Sequence, residues 1–111
     1  MSHEGSCHCG AVKVTIADDP VDAVECNCSI CRRTGALWTY ASPSRVAVKG
    51  EGQGYVQGDR TLTLWRCPIC GIVTHWTPVD PHYDRMGVNL RLFDPALWSA
   101  LPRRLIDGAS W

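Results

Sequence analysis

Three thiols stand close together in Cys26-Asn27-Cys28-Ser29-Ile30-Cys31. Their spacing lets one short turn aim all three at a single ion. Zn²⁺ bound by thiolates takes four tetrahedral ligands in a structural site and keeps one position open in a catalytic one. This run offers three ligands and no local fourth. Four further cysteines complete a total of seven: Cys7 and Cys9 near the start, Cys67 and Cys70 past the middle. In Cys67-Pro68-Ile69-Cys70-Gly71 the proline stiffens a turn, and the glycine permits the positive φ needed after the second sulfur. Backbone N–H groups in such a turn can point at sulfur and stabilise its charge. With Cys7 and Cys9 this pair makes a closed set. The cysteines therefore divide into four and three, one full site and one with a position open to water or substrate. Spacing alone leaves other partitions open. A distant histidine (His3, His8, His75 or His82) could also complete the triad as a second structural site.

Length and composition set the frame for these sites. A chain of 111 residues is expected to form one domain, residues 1–111. It is 45% hydrophobic and 20% charged, the balance of an ordinary globular protein. Eleven basic residues against eleven acidic ones argue against a nucleic-acid partner, which would normally meet a basic excess. No apolar run reaches membrane length, and Met1 to Ser6 lacks the apolar core of a signal peptide, so no membrane partner is expected. An odd cysteine count fits a disulfide framework poorly. These features point to a reducing, cytoplasmic setting in which the thiols bind metal.

The elements that must position the cysteines are short strands. Val12, Val14 and Ile16 alternate with Lys13 and Thr15, the pattern of a half-buried strand. A Cys-x-Cys pair in extended chain would place both sulfurs on one face. Residues 36–41, 45–49, 61–66 and 72–77 read as further strands. The last two flank Cys67 and Cys70 as a hairpin with metal at its tip. Residues 32–35 read as a polar turn, 50–54 as a flexible turn, and 88–92 as a strand. Asp94 as N-cap and Pro95 at the first helical position predict one or two helical turns, closed by Pro102. Trp38, Trp65, Trp76 and Trp98 fall on these elements as core or as contacts of a homodimer. The whole reads as mainly β, a small zinc-bound antiparallel domain.

Three motifs, Gly5-Ser6-Cys7-His8-Cys9-Gly10, then Cys26-x-Cys28-Ser29-x-Cys31-Arg32, then Cys67-x-x-Cys70-Gly71, resemble in kind and order the glutathione-dependent formaldehyde-activating family, which includes centromere protein V. The resemblance runs from Gly5 to about Trp98. It implies a β-tent-like fold with two zinc ions. The structural one would be held by Cys7, Cys9, Cys67 and Cys70, and the catalytic one by Cys26, Cys28 and Cys31. The implied activity condenses formaldehyde with glutathione, formally a carbon–sulfur lyase running in reverse. This chain is shorter than members credited with that activity, which leaves less sequence to grip a tripeptide.

Around the triad, Arg32 and Arg33 are candidates to pair with a glutathione carboxylate, the alternative being a solvated turn. His75 and His82 are candidates to relay a proton, the alternative being structural or exposed roles. The leading expectation is a zinc-dependent lyase acting on a small thiol. The second is a non-catalytic module that carries glutathione or docks a protein. Protein purified without chelator should retain two zinc ions per chain. Metal analysis returning one ion, or iron, would overturn the two-site reading, since a four-sulfur knuckle also suits iron.

Overall fold

The structure is a computed structural model that describes residues 2–58 and 60–110. Among these residues the strands are β1 (His3–Ser6), β2 (Lys13–Ile16), β3 (Ala23–Cys26), β4 (Trp38–Ala41), β5 (Val46–Lys49), β6 (Gln53–Val56), β7 (Leu62–Arg66), β8 (Val73–Pro78), β9 (Met86–Asn89) and β10 (Arg103–Ile106). Two short helices join them, α1 (Ser29–Thr34) and α2 (Pro95–Trp98). The strands form a three-stranded sheet, ordered β1-β2-β5, and a seven-stranded sheet, ordered β10-β3-β4-β9-β8-β7-β6. All neighbours are antiparallel except β3 and β10. The protein is mainly β, as its alternating segments predict. No described helix is long and apolar enough to cross a membrane.

Alternation of side chains sorts the core into layers. Val14 and Ile16 of β2 pack against Ala23, Leu37, Met86 and Val88, so the small sheet and the large one share a cluster. The next residues along the same segments, Val24 and Trp38, turn to the other face of the large sheet. There they meet Ala36 and Leu64, with Ile30 and Cys31 of α1 and Ile106 of β10 against them. The triad is thus built onto one face of the large sheet. A third cluster joins Cys7, Val12 and Cys67, with Cys70 at its edge.

Several expectations need correction. Residues 32–34 are the last turn of α1 rather than a free turn, because Cys28 caps its start and Gly35, at φ 69°, caps its end. Caps, not periodicity, define so short a helix. Gln53 and Gly54 belong to β6 rather than a flexible turn, and Gly54 makes room for the Trp65 ring across the pair. The expected strand 88–92 stops at Asn89 and continues as a 3₁₀ turn, Leu90–Leu92. The Asn89 side chain causes the switch, since its Oδ1 accepts from the Arg91 N–H at 3.1 Å. β1, β3 and β10 have too few alternating residues to announce themselves.

His75 lies in β8 opposite Trp65, and their rings stack 14° from parallel with centroids 6.1 Å apart. Its Nδ1 shares a hydrogen bond with Thr74 Oγ1 (2.8 Å), and burial drives its pKa down to about 4. Its stacking and burial are those of a structural histidine, and it does not join the triad sulfurs. Folding buries a neutral imidazole that the unfolded chain protonates near pH 6.5. The linked stability is full above that pH and is lost as pH falls toward about 4. Between pH 7 and pH 5 the loss should be about 2 kcal/mol, and His75→Gln should remove it. Denaturant unfolding of both proteins at both pH values isolates this contribution, because metal loss enters each pair equally. Equal pH slopes would show that His75 is not buried neutral.

Candidate metal centres

Two turns of the same design build the larger cysteine group. In 7–12 the Cys7 N–H donates to the Val12 carbonyl (3.0 Å), and in 67–72 the Cys67 N–H donates to Ile72 (2.9 Å). Gly10 and Gly71 turn each chain back at φ 83° and 77°. The Cys7–Cys9 pair therefore sits in a turn, not in extended chain. Main-chain N–H groups then face the sulfurs. Val12 donates to Cys7 Sγ at 3.3 Å and Ile69 to Cys67 Sγ at 3.4 Å. The Ala11 N–H serves Cys9, and the Cys9 and Ile72 N–H groups serve Cys70.

The four sulfurs lie within 4.8 Å of one another, with Cys7–Cys9 at 3.7 Å and Cys9–Cys67 at 3.6 Å. Ligands held about 2.3 Å from a tetrahedral ion are about 3.8 Å apart, close to these two separations, so the group could hold such an ion. Electrostatics agrees. The Cys9 and Ile72 N–H groups pull Cys70 down to about 6. Cys9 is pushed up to about 11: the Ala11 N–H works the other way, but desolvation and the three neighbouring sulfurs outweigh it. Four thiolates cannot coexist here without a cation.

The triad sits where β3 ends and α1 begins. Cys26 is the last residue of β3, Cys28 is the N-cap of α1, and Cys31 lies one turn into the helix. Cys28 Sγ accepts from the Cys31 N–H at 3.5 Å, so the helix start orients its own ligand. The three sulfurs also lie within 4.8 Å of one another, and among the described residues no histidine or carboxylate joins them. His3 bonds Asp19 at 2.7 Å, while His8 and His82 are exposed. Desolvation, then the Cys28 sulfur, pushes the Cys31 thiol up to about 12, although the Trp38 indole N–H is directed at it and opposes the shift. Desolvation also opposes ionisation of Cys28, yet the Cys31 N–H and the neighbouring thiols hold it below the usual thiol value.

A cavity of about 550 Å³ adjoins the triad, lined in part by Cys26, Cys31, Arg32, Arg91 and Asp107. Arg32 is on it, as the sequence suggests. Arg33 is not among its lining residues, and its guanidinium donates to the Ser29 carbonyl of its own helix (2.8 Å). Arg91 escaped the sequence reading because its segment looked like a plain strand. The 3₁₀ turn swings it round to donate to the Gly35 carbonyl at 2.9 Å. Asn27 also went unnoticed, and it ties the triad loop to Asp107 and Ala109. Ser110 and then Asn27 hold the Asp107 carboxyl below its ordinary range. A second cavity, about 360 Å³, holds Asp18, Tyr40, Arg45 and Arg85 and contains no cysteine.

A mainly β protein with two cysteine groups, each able to hold a metal ion, is the class that fold and geometry define. Residues 2–103 match the profile of the glutathione-dependent formaldehyde-activating enzyme family, and the chain belongs to that family. It is 33% identical over 98 residues to a Halomonas elongata protein named "Putative glutathione-dependent formaldehyde-activating enzyme". That match covers 86% of this chain but 58% of the relative, so the chain spans little more than half the relative's length. A crystal structure of a Rhodobacter sphaeroides protein superposes with a TM-score of 0.74 at 34% identity, covering 91% of this chain and 99% of the other.

The two groups should respond differently to mutation. Cys7 and Cys67 are 2% and 0% exposed and join β1–β2 to the β7–β8 hairpin, whereas all three triad sulfurs are only partly buried. Cys67→Ser should abolish cooperative unfolding, because metal binding free energy is there also folding free energy. Cys28→Ser should keep a cooperative melt and lose one metal. Thermal melts showing both changes equally destructive would make the triad structural.

Proposed function

We propose that this chain is a zinc-dependent carbon–sulfur lyase-like enzyme that joins a small thiol such as glutathione to formaldehyde or a similar electrophile, or cleaves the adduct. The observation that carries this reading is a set of three converging sulfurs, with no fourth protein ligand among the described residues, opening beside a cavity. Cys26, Cys28 and Cys31 would hold the catalytic zinc, while Cys7, Cys9, Cys67 and Cys70 would hold the structural one. When bound, the triad zinc supplies a positive charge that lets a thiol lose its proton near neutral pH.

The reaction itself needs little more than placement. The thiol sulfur bonds to the aldehyde carbon, the C=O π pair moves to oxygen, and the thiol's proton ends on that oxygen. Holding both reactants in one cavity removes the entropy cost of their encounter. Arg32 on the cavity wall suits a carboxylate of the tripeptide through paired N–H donors, and Arg91 could add a second contact. Arg33 would have to leave Ser29 to join them. Trp38, 2% exposed, closes the site's inner side with an apolar ring.

The same cavity supports one further reading. The chain spans 58% of the Halomonas protein, and Arg32 and Arg91 on the cavity beside the triad suit a non-catalytic module that carries glutathione or docks a protein. Titration calorimetry in two buffers of different ionisation enthalpy tests both readings. Glutathione entering as thiolate at pH 7 should release about one proton, given a free thiol pKa of about 8.5. S-methylglutathione keeps the peptide contacts and should bind much more weakly. Equal affinities with no proton release would leave only the binding-module reading.

A further inference from the structure

The last strand and the turn after it lie against the triad. β10 runs parallel to β3 and carries the register up to the first triad cysteine, with Ile106 opposite Cys26. The Asn27 N–H then donates to the Ile106 carbonyl (3.1 Å). Its side-chain amide donates to Asp107 Oδ1 and accepts from the Ala109 N–H, both at 2.9 Å. One amide, standing between two of the three cysteines, therefore holds residues 107–109 from both sides.

Gly108 is buried beneath that clasp. A Cβ on it would lie 2.6 Å from Cys26 Sγ and 3.0 Å from Cys28 Cβ. Non-bonded contacts to carbon normally stand at about 3.5–4.0 Å. Relief by moving away is costly on both sides: Cys26 Sγ must stay with its two partners, and Cys28 is fixed as the helix cap. The φ of Gly108 is not in the left-handed region, so its backbone would accept alanine. Space alone demands glycine here.

We infer that the 107–109 turn is a built wall of the triad site, in which Gly108 backs the Cys26 sulfur at main-chain distance and Asn27 clasps the turn to the cysteine loop. The inference rests on the reading that the triad holds a metal. Neither residue supplies a ligand, so both are positioning residues. Backed by Gly108, the Cys26 sulfur stays on the side of Cys28 and Cys31. Without the clasp the turn is free to lift, and the three sulfurs lose their fixed spacing.

The test uses zinc-loaded full-length chain challenged with graded chelator, with zinc release read by a colour indicator. The wild type should give up its zinc in two steps, one per site. In Gly108→Ala the weaker step should move to about 10–100-fold lower chelator strength, the usual cost of disturbing a ligand's supporting contacts, while the stronger step stays put. Asn27→Ala removes an exposed side chain from outside the core and should move the same step in the same direction. If Gly108→Ala does not fold, Asn27→Ala alone decides. Release curves like the wild type's would overturn the inference, and so would an Asn27→Ala curve in which both steps shift together. A wild type that holds only one zinc would instead overturn the metal reading of the triad.

Discussion

Sulfurs this close cannot all ionise unless a cation lies among them. That constraint governs most of what surrounds the cysteines. In the larger group it shows as divided behaviour, one thiol pulled down to about 6 and another pushed up to about 11. Main-chain N–H groups answer part of the demand, which is why each cysteine turn closes on itself and ends at a left-handed glycine. The remainder calls for positive charge at the centre. Thiolate groups of this kind are deprotonated by the metal they bind, so occupancy and charge balance are one event.

The same constraint shapes the architecture. The tetrad lies between the β1–β2 turn and the tip of the β7–β8 hairpin, so an ion there fastens an edge of the small sheet to the large one. The shared cluster around Val14, Ile16 and Val88 holds the same two sheets together from within. The triad is placed otherwise. It hangs from the end of one strand and the start of one six-residue helix, on a face where Trp38 and Ile106 supply apolar backing. An ion in the first group bridges parts of the fold, and an ion in the second bridges neighbours in sequence.

Much of this was legible in the residues. The four-plus-three division, the hairpin tipped by Cys67 and Cys70, and the helix capped by Asp94 all rest on local rules, and local rules can be read without a partner in view. What escaped depends on distant pieces meeting. Arg91 reaches the triad cavity only because Asn89 bends the chain into a 3₁₀ turn. Arg103 to Ile106 carries no alternating pattern, and β10 exists only through its pairing with β3. Gly108 belongs to none of the sequence motifs. Its meaning comes from a sulfur brought to it across the fold, and no periodicity encodes that approach.

The pairing of Asn27 with Ala109 spans 82 positions of chain. At about 5–20 residues per second, a ribosome needs roughly 4–16 seconds to make that span. All three triad thiols are therefore synthesised, and can be out of the exit tunnel, well before the turn that walls them in. Synthesis of the thiols and closure of the turn over them are separated in time. The three thiols can thus be exposed on the nascent chain before residues 107–109 pack against them.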